Sequence, residues 1–247
     1  PNTSTETHFI PLSPIKSKYH YYYTLYHTTP HIILETTMIP FELYSISPSI
    51  NDYGHIYSIP NYYTPSEMSS VQSQIQSHMD KASYNSVPLE AWPSLRVDLF
   101  DNKQPFVSEK SQWLLDNWSE IHELTYTDDI EYYRDGSCVP EHVQESARGT
   151  GGGNRLYPSH NDRGALKLLT ILVPLVDVGC PTRFHGRKEN SQLESRVWCH
   201  EWALNNAYMF RPSERSYHSN QNTMGIDRWI SNINLCGRLE NGQQVND

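Results

Sequence analysis

A His-x-Asp pair directly ahead of an apolar run constrains this chain more than any other feature. His160 and Asp162 are followed by residues 166–175, Leu-Lys-Leu-Leu-Thr-Ile-Leu-Val-Pro-Leu. In an extended segment, side chains point to alternate faces, so residues two apart share a face. An imidazole nitrogen and a carboxylate oxygen on one face suit a borderline divalent metal ion. The pair therefore predicts a metal site beside a buried strand.

The known metal-ligand set of two histidines and one carboxylate needs a second histidine. His218 is the candidate. It follows residues 207–212, which are typical of a strand that runs into a turn. Arg228 stands ten residues after His218 and opens a further strand-like segment. A second His-x-Asp sequence, at His78 and Asp80, lies in a segment with helical periodicity, where residues two apart diverge by about 200° around the axis. That second pair cannot chelate one ion.

The set formed by His160, Asp162, His218 and Arg228 resembles the iron(II)/2-oxoglutarate-dependent oxygenase family. The resemblance covers residues 157–235. It implies a mainly β fold with bracing helices (α+β), built on a double-stranded β-helix of the jelly-roll or cupin-like barrel kind. It also implies that the chain is an oxidoreductase and that His160, Asp162 and His218 are its iron(II) ligands.

The resemblance also implies the chemistry of the site. Open positions on the iron would take dioxygen and bidentate 2-oxoglutarate, which is decarboxylated to succinate while a C–H bond of the substrate is hydroxylated. Arg228 is expected to bind the distal carboxylate of 2-oxoglutarate, because a guanidinium pairs with a carboxylate bidentately and stays charged when buried. Ser231 and Tyr157 are further candidates for a hydroxyl contact to this co-substrate. The carboxylate of Asp162 favours hydroxylation over halogenation, since the halogenases of the family have Gly or Ala there.

These observations lead to the hypothesis of an Fe(II)/2-oxoglutarate-dependent dioxygenase that hydroxylates a C–H bond of a small polar metabolite or an amino-acid-like substrate. Hydroxylation of a protein side chain is one alternative. A non-catalytic, cupin-like binding module is another, although such a module has no chemical need to keep all four residues. A metal enzyme that uses the triad without 2-oxoglutarate is a third, and its activity would survive the loss of Arg228.

The charge balance argues against nucleic-acid partners and membrane surfaces. Lysine and arginine number 19 against 28 aspartate and glutamate residues, a formal charge of -9 at pH 7, so the chain lacks the basic field that attracts polyanions. Residues 166–178 form the longest apolar run, which Lys167, Thr170 and Asp177 interrupt. This run is too short to span a bilayer. We therefore expect a cytoplasmic protein that acts on a small-molecule substrate, with no nucleic acid and no membrane as partner.

The cysteines are far apart and contain no Cys-x-x-Cys pair, which argues against a zinc ribbon or a redox motif. There are four of them: Cys138, Cys180, Cys199 and Cys236. Their even number leaves disulfides open. Free buried thiols are the favoured expectation, because an iron(II) site fits a reducing compartment.

The chain is expected to form a single oxygenase-like domain over residues 1–247. Within it, residues 1–150 would supply N-terminal strands and bracing helices, with residues 1–30 as an arm or edge strand. Residues 151–240 would form the metal-binding barrel core.

Periodicity predicts the elements of that domain. Apolar spacing indicates helices over residues 66–83 and 108–124, the second capped by Ser108. A glycine-rich segment, residues 149–153, predicts a flexible loop ahead of the metal-bearing strand and is a candidate lid. β-branched and aromatic residues bounded by Pro, Gly and Asn predict short strands: two or three over residues 31–63, and one each over residues 94–100, 129–134, 167–176, 196–202, 207–210, 217–220 and 229–235.

Overall fold

The computed structural model describes most of the chain between residues 39 and 239. The described ranges are residues 39–79, 95–128, 138–150, 155–160, 162, 167–186, 188–189, 192–193, 197–222 and 228–239. Internal contacts divide the chain into two compact units, Pro1–Glu42 and Leu43–Asp247, and the architecture below is that of the second. The predicted arm over residues 1–30 and the predicted strand over residues 129–134 lie outside the described residues. The single-domain organisation stays a prediction.

Fifteen strands and four helices form within the described residues. The helices are α1 (Ile50–Tyr53), α2 (Pro65–Met79), α3 (Glu109–Asp116) and α4 (Trp118–Thr125). The strands, in chain order, are β1 (Tyr44–Ser45), β2 (Ile56–Ile59), β3 (Leu95–Asp98), β4 (Phe100–Asp101), β5 (Gln104–Pro105), β6 (Cys138–Thr150), β7 (Arg155–His160), β8 (Lys167–Pro174), β9 (Arg183–Gly186), β10 (Lys188–Glu189), β11 (Gln192–Leu193), β12 (Trp198–Cys199), β13 (Ala207–Phe210), β14 (Tyr217–Asn222) and β15 (Arg228–Leu239).

Two antiparallel sheets contain eleven of these strands, and the other four form two separate pairs, β4-β5 and β10-β11. The large sheet has seven strands in the order β1-β2-β13-β8-β15-β6-β3, and the small sheet has four in the order β12-β9-β14-β7. From β6 onwards the chain passes back and forth between them: β6, β8, β13 and β15 lie in the large sheet, and β7, β9, β12 and β14 lie in the small sheet. This exchange between two sheets is the jelly-roll pattern. The predicted double-stranded β-helix is therefore confirmed, with two open sheets in place of a closed barrel.

The central strands of the large sheet pair over nearly their whole length. β15 pairs with β6 from Arg228 opposite Thr150 to Leu239 opposite Cys138, and its other edge pairs with β8. Every residue of β8 after Lys167 is buried, as expected for a central strand that is covered on both faces. The apolar run after the His-x-Asp pair is thus a middle strand of the large sheet.

Aromatic side chains join the two sheets. Phe184 of the small sheet meets Phe210 of the large sheet edge to face, with ring centroids 5.1 Å apart, and lies 6.1 Å from the ring of Tyr208. Leu172 and Ile230 belong to the same buried cluster. Burying an aromatic or large aliphatic side chain contributes about 1.5–3 kcal/mol. This cluster therefore holds the small sheet, which carries the histidines, against the large one.

A buried carboxylate joins helix α3 to the other face of the large sheet. Glu145 of β6 accepts hydrogen bonds from the backbone N–H and the hydroxyl of Ser108, both at 2.8 Å, and from the Tyr63 hydroxyl at 2.9 Å. Ser108 also caps α3 by accepting from the Ser111 N–H at 3.3 Å. Burial raises the pKa of Glu145, although these hydrogen bonds oppose the rise. The network fixes the start of α3 on the sheet.

The two predicted helices have different outcomes. The first is confirmed in its described part, since α2 covers Pro65–Met79 and buries Met68, Val71 and Ile75. The prediction of one continuous second helix is wrong, because the chain forms α3 and α4 with a break at Asn117. There the backbone leaves helical geometry, at φ -112 and ψ 34, and the Asn side chain donates to the Trp113 carbonyl oxygen at 2.8 Å. Asparagine competes for backbone hydrogen bonds in this way.

The strand predictions were least successful for β6. The longest strand of the described residues was missed, because Pro140 and the charged residues Glu145 and Arg148 hide its alternation. The predicted glycine loop is wrong at its start, since Gly149 pairs with Trp229 within the large sheet. The predicted strand over residues 196–202 is shorter than expected and covers Trp198–Cys199.

Two further expectations concern membranes and thiols. No helix in the described part of the chain has the length and apolarity to cross a membrane. Cys180, Cys199 and Cys236 are free thiols. Only Cys180 is buried, whereas Cys199 is exposed and Cys236 is intermediate. The side chain of Cys138 lies outside the described residues.

Gly149 is a position where no side chain fits. An added Cβ would lie 2.5 Å from Cζ2 of Trp229, and this indole is fully buried. Real Cβ atoms do not approach carbon atoms so closely, so either the ring or the strand would have to move. Because residue 149 has no side chain, the Trp229 ring can pack against the outer face of the large sheet.

Replacing Gly149 by alanine is expected to lower the free energy of unfolding by about 1–3 kcal/mol, because overpacking a filled site forces neighbouring atoms to shift. Urea unfolding of the two proteins measures the change. The control is the same substitution in a Trp229→Leu background, where the added methyl group meets no indole and should cost less. An equal cost in both backgrounds would contradict the explanation.

Candidate metal centre

His160 and His218 face each other across two paired strands. β7 ends at His160, and the register of the small sheet sets His160 opposite His218 near the start of β14. Residues in direct antiparallel pairs carry their side chains on the same face. The two imidazole rings accordingly lie with centroids 4.3 Å apart. Strand pairing, and not sequence proximity, brings the two histidines together.

Asp162 reaches this pair by a route that differs from the prediction. The extended geometry assumed for His160 and Asp162 is wrong, because the strand stops at His160 and Asp162 has a φ of 61. Aspartate is among the few residues that tolerate this left-handed conformation. The left-handed backbone conformation of Asp162, and not the two-residue alternation of a strand, therefore directs the carboxylate toward the histidines.

The three side chains can hold a metal ion. Nε2 of His160 lies 3.6 Å from one carboxylate oxygen of Asp162, and Nε2 of His218 lies 3.8 Å from the other. All candidate ligand atoms lie within 4.8 Å of one another. Ligands at about 2.1 Å from a shared ion are separated from one another by roughly 3–4 Å. The spacing fits such an ion, and the roles of these residues as ligands stay a prediction.

The protonation state of His218 suits a ligand. Burial, and next the neighbouring His160, lower the pKa of His218 to about 4 even though Asp162 opposes this. The neutral ring carries one proton, and Nδ1 lies 2.9 Å from the Ser216 carbonyl oxygen, which can only accept. Nδ1–H is thus the donor, and Nε2 keeps a free lone pair toward the site.

Asp162 is held in its ionised form. Burial acts to raise its pKa, but His218, Lys167 and His160 outweigh burial and lower the pKa to about 2. Lys167 donates to one carboxylate oxygen at 2.7 Å, and Thr170 donates to the other at 3.3 Å. These two contacts orient the carboxylate, as residues behind metal ligands commonly do.

Arg228 lies in the same cavity with a fixed orientation. It begins β15 and is 2% exposed. Its Nε–H donates to the Cys180 carbonyl oxygen at 2.9 Å, and Nη2 donates to the Thr182 hydroxyl at 2.8 Å. The guanidinium carbon lies 5.6 Å from the ring centroid of Trp202. A buried cation held in this way is a binding group for an anion.

The cavity joins the triad to Arg228. Its walls come from both sheets, and the described lining residues are Arg148, Thr150, His160, Asp162, Lys167, Leu172, Thr182, His218, Ser219, Asn220, Arg228, Ile230 and Asn232.

The structure places Ser231, one of the other two predicted site residues, outside this cavity. Ser231 lies between Ile230 and Asn232 on the opposite face of β15, where its hydroxyl is 2.6 Å from the Tyr63 hydroxyl. A strand turns successive side chains to opposite faces, so Arg228 and Ser231 cannot share a ligand. Tyr157 lies in β7 opposite Asn220, but its side chain is outside the described residues and its role stays a prediction.

Several residues of the site were missed at the sequence level. Lys167 and Thr170 were seen only as interruptions of an apolar run, yet both bond to Asp162. Their polarity within an otherwise apolar strand was the available signal. Thr182, directly before β9, and Asn220 of β14 carry no comparable signal, because the fold of the small sheet and not a local pattern brings them to the cavity.

Two other histidines in the same part of the chain lie apart from the triad. His185 faces Ser219, with Nε2 and the hydroxyl 2.7 Å apart. His200 meets the ring of Tyr208 edge to face, with centroids 5.3 Å apart. Neither histidine is among the described residues that line the cavity.

Comparison with known proteins gives matches only among solved structures. No family model matches the sequence, and no curated protein matches it. A prolyl-4-hydroxylase from Pseudomonas putida is similar with a TM-score of 0.43 and 11% identity, over 73% of this chain and 91% of that one. A prolyl hydroxylase from Trichoplax adhaerens, in complex with a peptide of hypoxia inducible factor, has a TM-score of 0.48 and 13% identity, over 76% and 85%.

A third similar structure is AviO1 from Streptomyces viridochromogenes. It has a TM-score of 0.42 and 12% identity, over 76% of this chain and 91% of that one. The assignment of the fold rests on the strand connections described above and not on these three similarities.

Acidification is expected to destabilise the metal-free protein through His218. The pKa of His218 in the folded chain is about 4, below the ordinary value of 6.5, so only the unfolded chain takes up this proton at mildly acidic pH and stability falls as the pH drops through this window. Between pH 7 and pH 5 the loss from this group is about 2 kcal/mol. Urea unfolding in EDTA, compared with His218→Gln, measures it. The same pH dependence in both proteins would contradict the assignment.

Proposed function

We propose that this chain is an Fe(II)/2-oxoglutarate-dependent oxygenase that hydroxylates a C–H bond of a small polar or amino-acid-like molecule. One observation carries the proposal: His160, Asp162 and His218 converge in the cavity that Arg228 also lines. The first three supply the donor set of a metal site. Arg228 supplies a buried guanidinium for a dicarboxylate co-substrate.

The donor set fits iron(II). Two imidazole nitrogens and one carboxylate oxygen form the facial set that leaves coordination positions open for exogenous ligands. Ser216 holds His218 in the tautomer with a free Nε2, and Asp162 is ionised at neutral pH. Neither residue must lose a proton before it binds a cation. Iron(II), when bound, supplies the redox chemistry with dioxygen that protein side chains lack.

Arg228 has the properties of a binding group for the distal carboxylate of 2-oxoglutarate. A guanidinium has five N–H donors. Among the described residues, Nε–H bonds Cys180 and one Nη2 donor bonds Thr182. Tyr208 makes a further hydrogen bond with the Arg228 side chain. A carboxylate would pair with the remaining donors and would also compensate the buried positive charge.

Two apolar side chains stand among the polar residues that line the same cavity. They are Leu172 of β8 and Ile230 of β15, which are 3% and 4% exposed. Both would offer apolar contact to the carbon atoms of a bound molecule.

The first test is uncoupled turnover. Anaerobically purified protein receives iron(II), ascorbate, 2-oxoglutarate and air without added substrate, and succinate is measured. We expect slow succinate release that Asp162→Ala abolishes, because the variant lacks the only carboxylate of the triad. If succinate is not released and the metal-loaded protein also fails to bind 2-oxoglutarate, the chain is a binding module and not an oxygenase.

A second test concerns Arg228. Arg228→Met is expected to raise the Kd for 2-oxoglutarate on the metal-loaded protein by about tenfold or more, because a charge-assisted bidentate contact is lost. Binding of the metal alone should be unchanged. The matched control is Arg238→Met, which removes an exposed arginine from the same strand. Equal affinity of wild type and Arg228→Met for 2-oxoglutarate would show that this anchoring role is wrong.

A further inference from the structure

A tryptophan outside the cavity contacts the buried arginine inside it. The guanidinium carbon of Arg228 lies over the indole ring of Trp202, 5.6 Å from its centroid, which is within the range of a cation–π interaction. Arg228 is 2% exposed, and Trp202 is partly buried. Trp202 is not among the described residues that line the cavity. It is therefore placed to act on a ligand through the arginine and not by direct contact.

The segment between β8 and β9 holds this indole in place. Trp202 itself lies between β12 and β13. Its Nε1–H donates to the Val176 carbonyl oxygen at 2.9 Å. Its ring packs on Gly179, where an added Cβ would overlap Cζ2 of the indole. Carbon atoms do not approach one another so closely, so the ring can occupy this position only because residue 179 has no side chain.

The same segment supplies the oxygen atoms that orient Arg228. The Cys180 carbonyl oxygen accepts from Nε–H at 2.9 Å, and the Thr182 hydroxyl accepts from Nη2 at 2.8 Å. Both residues follow closely after the glycine on which the indole packs. Trp202 thus contacts the guanidinium and also the segment whose oxygen atoms fix the direction of that guanidinium.

The groups described in contact with Arg228 are uncharged. They are one carbonyl oxygen, the hydroxyls of Thr182 and Tyr208, and the indole ring. An aromatic ring attracts a cation through its π face and carries no net charge. It stabilises the buried guanidinium without the competition that a protein carboxylate would offer to a ligand. A carboxylate that enters the cavity therefore meets a cation whose orientation is already set by neutral groups.

We infer that Trp202 is a positioning residue for Arg228, and that it gives the site its selectivity for a 2-oxo acid with a second carboxylate over one without. This inference rests on the proposed function, in which Arg228 binds the distal carboxylate of 2-oxoglutarate. A guanidinium that is held in one orientation loses little conformational freedom when it forms a bidentate pair. Without the indole, the guanidinium and its supporting segment gain freedom, and the second carboxylate contributes less to binding.

The test compares 2-oxoglutarate with pyruvate, a 2-oxo acid that lacks the distal carboxylate. Saturation-transfer NMR on protein loaded with zinc(II), a redox-inert ion, gives the Kd of each acid, and the selectivity is the Kd for pyruvate divided by that for 2-oxoglutarate. We expect a selectivity of about tenfold or more in wild type, which Trp202→Leu lowers by about threefold to tenfold. The Kd for pyruvate should stay within about twofold, because pyruvate has no carboxylate for Arg228.

Further variants assign the effect to this contact. In an Arg228→Met background, Trp202→Leu should change the selectivity by less than about twofold, because the group that it positions is absent. Gly179→Ala should lower the selectivity as Trp202→Leu does, since the added methyl group displaces the ring, and should add nothing in combination with it. The matched control is Trp198→Leu, which removes an indole that lies 5.6 Å from the Phe184 ring and should leave the selectivity unchanged.

Each contrary outcome is distinct. Unchanged selectivity in Trp202→Leu overturns the inference, and so does an equal loss of affinity for both acids, because the indole would then support the fold as a whole. A drop of the same size in the Arg228→Met background also overturns it, because Trp202 would then act without the arginine. If wild type itself binds 2-oxoglutarate no more tightly than pyruvate, Arg228 does not anchor the co-substrate, and the proposed function fails together with the inference.

Discussion

The pairing of β7 with β14 is the interaction on which the candidate site depends. It sets His160 opposite His218, although 58 residues separate them in the sequence. The left-handed conformation of Asp162 then adds the carboxylate. Both strands belong to the small sheet, which is held against the large one by Phe184 and its aromatic neighbours. A shift of one residue in this register would turn the two histidines to opposite faces of the sheet, and they could no longer bind one ion.

β15 serves two purposes through its two faces. Arg228 and Ile230 face the cavity, whereas Trp229 and Ser231 face the helices. Trp229 packs on the bare backbone of Gly149, and Ser231 joins the network around the buried carboxylate of β6. Because side chains alternate along a strand, packing on the helical face fixes the orientation of Arg228 on the other. Rigid support of this kind is what a preorganised binding site requires.

Sequence reasoning found the parts of the fold and site that depend on local pattern. β8 was predicted from its apolar run, and α2 from the helical spacing of its apolar residues. His160 and Asp162 were predicted as ligands from their residue types. β6 could not be predicted, because its buried polar residues break the expected alternation of apolar and polar residues. Their hydrogen-bond partners are distant in the sequence, as Ser108 is from Glu145. Ser231 was chosen because it is close to Arg228 in the sequence, but residues three apart on a strand point to opposite faces. The break at Asn117 depends on a side-chain bond that apolar spacing does not report.

The central claim is that His160, Asp162 and His218 bind one divalent ion beside Arg228. The most direct measurement is a crystal structure of the protein grown with manganese(II), with anomalous diffraction data collected at the manganese edge. We predict one anomalous peak at about 2.0–2.3 Å from Nε2 of both histidines and a carboxylate oxygen of Asp162, as expected for such ligands. A fully ordered triad with no peak, or a peak bound to other residues, would contradict it.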